Sequence, residues 1–70
     1  MNLKTYLKTT TQQELADAIN KDRRNKRSVT QGAISQWLAG QIPAERVIQL
    51  ERVSGGLMTR YELRPDIYPD

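Results

Sequence analysis

Apolar positions along this chain recur at intervals of three and four residues. They divide it into four or five short helical segments, and nothing reads as a long strand. The first segment runs from Asn2 to about Lys8, with Leu3, Tyr6 and Leu7 on one face, and Thr9 to Thr11 serve as boundary. A second opens on Thr11-Gln12-Gln13-Glu14, the spacing of a capping box in which a threonine hydroxyl and a glutamate side chain each satisfy the other's backbone N–H. Leu15, Ala16 and Ile19 then form its apolar stripe, and Asp17 stays outside. Asn20 is a plausible stop, since asparagine tolerates the left-handed conformation that often follows a helix.

A third segment begins at Val29-Thr30, with Thr30 as N-cap, Ile34, Trp37 and Leu38 as the inward side and Gly40 as the close. A fourth starts near Pro43, whose missing N–H costs nothing in a first turn; Val47, Leu50 and Val53 point inward and Ser54-Gly55-Gly56 ends it. In the tail, Thr59-Arg60-Tyr61-Glu62 repeats the capping pattern, which predicts a one-turn helix holding Tyr61 and Leu63 against the body. Pro65 and Pro69 prevent much regular structure beyond it. The expected core is Leu15, Ala16, Ile19, Ile34, Trp37, Leu38, Val47 and Leu50.

Seventy residues make one domain, 1–70, with a single small core. Cysteine and histidine are both absent, which removes disulfides, thiolate or imidazole metal sites, and catalysis by either residue. Glu14 is claimed by the cap and Asp17 by solvent. No nucleophile–base pair, phosphate loop or metal-ligand set stands out, so the reading is a non-enzyme with no cofactor. No apolar run nears the ~20 residues of a membrane span, and the start lacks the apolar stretch of a secretory signal, so a cytosolic protein is expected.

A net charge of +3 says little, but its placement says more. Lys21, Arg23, Arg24, Lys26 and Arg27 lie within seven residues, opposed there only by Asp22, whereas residues 53–70 are net negative. Such a cluster suits a polyanion, and Arg23, Arg24, Lys26 and Arg27 are candidates for DNA phosphate contacts. The third helix completes the picture. A helix enters the major groove only if its outer face is slim; Gly32, Ala33 and Ser35 meet that condition, and glutamine can bond bidentately to adenine.

Thr11-Gln12-Gln13-Glu14-Leu15-Ala16-Asp17 and Val29-Thr30-Gln31-Gly32-Ala33-Ile34-Ser35-Gln36-Trp37-Leu38-Ala39-Gly40 resemble the two halves of a phage-repressor helix-turn-helix. The tail, from Ser54-Gly55-Gly56 through Thr59-Arg60-Tyr61-Glu62-Leu63-Arg64-Pro65-Asp66-Ile67-Tyr68-Pro69, is similar to the endings of Cro-type regulators of the YdaS group, small prophage-encoded DNA-binding proteins. These stretches cover about two-thirds of the chain. The resemblance implies an all-α, compact, lambda-repressor-like bundle of four to five short helices that binds double-stranded operator DNA as a dimer and represses by blocking polymerase. It implies base reading by Gln31, Gly32, Ser35 and Gln36, and phosphate contacts from Gln12 and Thr30 at the helix starts. Ile34 and Trp37 then match core positions, and Trp37 is no stacking platform.

In that group the turn is short and usually carries glycine where Asn20 stands. Here eight residues, Lys21 to Ser28, intervene: either the second helix runs on past Asn20, or the segment forms a loop. Tyr61, Leu63, Ile67 and Tyr68 in the 57–70 tail either complete the monomer's core or form a dimer interface. A second functional class stays open, an antitoxin-like module that binds a toxin partner through its tail and regulates its own synthesis.

Overall fold

A side chain answers an orphan N–H of the first turn in four of the five described helices. In a computed structural model describing residues 1–22 and 27–69, five helices and no strand occur among the described residues. They are α1 (Leu3–Tyr6), α2 (Gln12–Lys21), α3 (Gln31–Ala39), α4 (Ala44–Val53) and α5 (Arg60–Leu63). The protein is all-α. Asn2, Thr11, Thr30 and Thr59 cap α1, α2, α3 and α5 through their side-chain oxygens. At α2 the capping box is complete: the Glu14 N–H donates to Thr11 Oγ1 at 3.0 Å and the Thr11 N–H to Glu14 Oε1 at 3.1 Å. Pro43 stands at the N-cap of α4, one place before its expected first turn. The helix α1 is shorter than anticipated, with Leu7 as its C-cap.

α2 packs on both α3 and α4, and α4 on α5. Leu15, Ala16, Ile19, Ile34, Trp37, Val47 and Leu50 are buried as expected, joined by Leu3, Val29, Ile42, Met58 and Leu63. Met58 reaches the interior because Gly55 and Gly56 take φ of +67° and +87°, a pair of left-handed positions that reverses the chain after α4. The Cα radius of gyration, 11.0 Å, equals the value of about 11 Å expected for a compact chain of this length, so the tail is folded in and does not trail.

Three expectations need correcting. Leu38 is not core but 38% exposed. The buried face of α3 is centred on Ile34 and Trp37 toward half-buried Ala33, and Leu38 lies about a quarter turn away. Tyr61, 45% exposed, does not face inward with Leu63, because residues two apart on a helix point in nearly opposite directions. Asn20 does not end α2 in a left-handed conformation; the helix continues to Lys21, and no non-glycine residue among those described has positive φ.

The two readings of the tail divide by residue. Leu63 is buried in the protein's own core and the half-buried Tyr68 packs against it, while Tyr61 and Ile67 are exposed. Polar ties reinforce this docking. Glu51 on α4 receives Arg60, whose guanidinium also lies 5.9 Å from the Tyr68 ring centre. Arg64 donates to the Ile42 carbonyl at 2.6 Å and pairs with Asp66 at 2.7 Å.

Candidate nucleic-acid interface

Burial of Ile34 and Trp37 turns the opposite side of α3 outward. Gln31, Gly32, Ser35 and Gln36, the four candidate base readers, are all exposed. A Cβ built on Gly32 meets nothing nearer than Thr30 Oγ1 at 3.7 Å, ordinary van der Waals contact. The fold therefore does not require glycine there, although glycine within a helix costs about 1 kcal/mol relative to alanine. Its missing side chain leaves the outer face of α3 slim at this point.

The start of α2 meets that face directly. The Ser35 hydroxyl donates to Gln12 Oε1 at 2.6 Å across 23 residues of sequence. This bond fixes the half-buried Gln12 carboxamide by its oxygen and leaves its N–H donors for an acceptor beside α3. At Thr30, Oγ1 accepts the Ala33 N–H at 3.1 Å, and the hydroxyl proton remains available to an outside oxygen. The Ser35–Gln12 bond links the first turn of α2 to the middle of α3, and backbone N–H groups at the two helix starts favour anions. Asp17, expected at the surface, is exposed and accepts from Gln13 at 2.9 Å.

Of the basic segment, Arg23, Arg24 and Lys26 lie outside the described residues. Arg27 is exposed and its carbonyl accepts from Arg46 Nη2 at 3.3 Å. At the other end, Asp22 is ion-paired to Arg52 of α4, which balances the only carboxylate in the run. α2 does run past Asn20, by one residue.

Three features here escaped the sequence reading: the pairing of Asn20 with Val29, the Asp22 pair, and the contact of Arg46 with the connection. One signal was legible. Arg46, Gln49 and Arg52 recur every third residue, a polar stripe on the face of α4 beside the inward Val47 and Leu50.

A cleft of about 200 Å³ lies at the far end of α3, floored by Leu3, Trp37, Ile42 and Leu63, with Leu38, Lys4 and Glu62 also lining it. Among the described residues no acidic cluster able to hold a metal ion is present, and no helix is long and apolar enough to cross a membrane.

The capped α2, the buried Ile34 and Trp37, and the docked tail belong to one small all-α unit. Residues 9–70 match the family described as bacterial toxin YdaS, and the chain belongs to that family. No curated protein and no solved structure matched it in the same comparisons.

Proposed function

We propose that the protein is a sequence-specific double-stranded DNA-binding regulator of transcription, acting in the cytosol as a dimer on an operator. α3 lies in the major groove, where Gln31, Gly32, Ser35 and Gln36 read base edges. Gln12, Thr30 and the basic residues Arg23, Arg24, Lys26 and Arg27 contact phosphates. The observation that carries this reading is the Ser35–Gln12 hydrogen bond, which couples the exposed face of α3 to the first turn of α2 and so presents base-reading and phosphate-binding groups as one surface. Occupying the operator then excludes polymerase, with no cofactor or catalytic step. Selection of binders from random duplexes tests it: a two-fold symmetric motif supports dimeric readout, and a pool that stays random contradicts it.

A second reading starts from the family description, a bacterial toxin. In it the protein is one member of a toxin–antitoxin pair, and exposed Leu57, Tyr61 and Ile67 contact the partner protein. Co-purification of a second small protein in stoichiometric amount from the native host favours that reading.

A further inference from the structure

The connection between α2 and α3 is fastened at its base in two ways. Asn20 Nδ2 donates to the Val29 carbonyl at 2.9 Å while Asn20 Oδ1 accepts the Val29 N–H at 2.7 Å, so one carboxamide satisfies both main-chain groups of a buried residue. The second fastening comes from α4. Arg52 pairs with the Asp22 carboxylate, and Gln49 Nε2 donates to the same oxygen at 3.4 Å. Arg46 donates through Nη1 to Gln49 Oε1 at 2.7 Å and through Nη2 to the Arg27 carbonyl. Gln49 is buried to 8% exposure, and its carboxamide bridges the two arginine contacts.

We infer that this face of α4 is the positioning platform for α3, and that Asp22 is the positioning residue through which it acts; the inference rests on the DNA-binding reading above. α3 has nine residues, with Ile34 and Trp37 as its buried side chains. Two side chains leave a short helix freedom to slide or roll, and base readout requires placement to within about 0.5 Å. The chain enters α3 through Val29 and Thr30, so whatever holds Val29 sets the height and rotation of Gln31. Asn20 holds Val29, and Asp22, two residues further on, ties the same end of α2 to α4. Arg46 ties the opposite end of the connection at Arg27. Asp22 and Arg27, at the described flanks of the eight-residue insertion, are thereby both held on α4.

The test uses Arg52→Asp and the charge-swapped pair Asp22→Arg/Arg52→Asp, which keeps the net charge of the parent protein. Hydrogen exchange at the Val29 amide and the ratio of selected-duplex to random-duplex affinity are both measured. In Arg52→Asp two like charges face each other; Val29 exchange speeds up and the affinity ratio falls, each about tenfold. The swapped pair restores both. Because the ratio cancels bulk charge, a merely electrostatic effect on DNA affinity leaves it unmoved. If Arg52→Asp does not fold, Asp22→Asn, close in shape, carries the same expectation. An affinity ratio unchanged in variants whose Val29 exchange has accelerated overturns the positioning role, as does a swap that restores neither. A parent protein that prefers no duplex overturns the DNA reading itself; unchanged Val29 exchange in the same variants then separately rejects the platform.

Discussion

The Glu51 carboxylate holds Arg60 in two places: Oε2 accepts the Arg60 backbone N–H at 2.8 Å, and Oε1 accepts from the guanidinium at 2.7 Å. The first bond satisfies an orphan donor at the start of α5, and the second ties that helix to α4. With Met58 fully buried and Leu63 nearly so, the tail is part of the core.

Deleting residues 57–70 therefore unfolds the domain. Each of Met58 and Leu63 is worth about 2–5 kcal/mol when truncated, against a total of roughly 5 kcal/mol for a domain this small. Loss of helical circular dichroism is the expected result. A truncated protein that stays folded and merely loses its dimer would show that the tail is an interface instead.

Acid weakens the same ties. Hydrogen bonding from Arg60 holds the Glu51 carboxyl below the usual range; the N-terminal ammonium and Thr59 do so for Glu62, and Arg64 for Asp66. A carboxylate with a depressed pKa when folded stabilises fully above its unfolded value, near 4, and loses that contribution as pH falls through the folded one. The melting temperature should hold through mild acid and drop below about pH 4. Glu51→Gln should melt lower at pH 7 and show a shallower acid drop; an acid profile identical to the parent's contradicts the assignment.

Trp37→Ala should cost about 3–5 kcal/mol and leave little folded protein. A folded Trp37→Ala that has lost only DNA binding would move the indole from core to ligand surface.

Gly32→Ala separates stability from function. Nothing in the fold obstructs the added methyl, so the variant should be more stable by about 0.5–1 kcal/mol. The same methyl thickens the face offered to the groove, and duplex affinity should fall. A rise in both quantities places Gly32 outside the interface.

Neutralising Arg23, Arg24, Lys26 and Arg27 together should flatten the dependence of log K on log salt by about 3.6 units, at about 0.9 per phosphate, while sequence preference persists. An unchanged slope means that these side chains touch no phosphate.

The caps were legible in the sequence because capping is local: Thr11, Thr30 and Thr59 each meet an N–H three residues on. So was the outward side of α3, since Ile34 and Trp37 mark its inward one. Leu38 misled because an i, i+4 partner of Ile34 lies within the helical stripe by spacing alone, and which edge of a stripe is covered depends on its neighbours. Asn20 misled more instructively. Its local preference suggests a left-handed stop, whereas its carboxamide is spent on Val29, nine residues away. Asp22 reads as a stray acid in a basic run until α4 brings Arg52 to it. Of these long-range polar pairs only the α4 side leaves a periodic trace, in Arg46, Gln49 and Arg52.

Titrating isotope-labelled protein with its selected duplex, followed through backbone amide shifts, most directly tests whether the outer side of α3 meets DNA. The changes should concentrate at Gln31, Gly32, Ser35 and Gln36, with Gln12 beside them, and Gln31→Ala should cost about 1–3 kcal/mol and relax one base position. Shifts confined to Leu57, Tyr61 and Ile67, or equal weakening of every duplex by Gln31→Ala, would contradict readout by this helix.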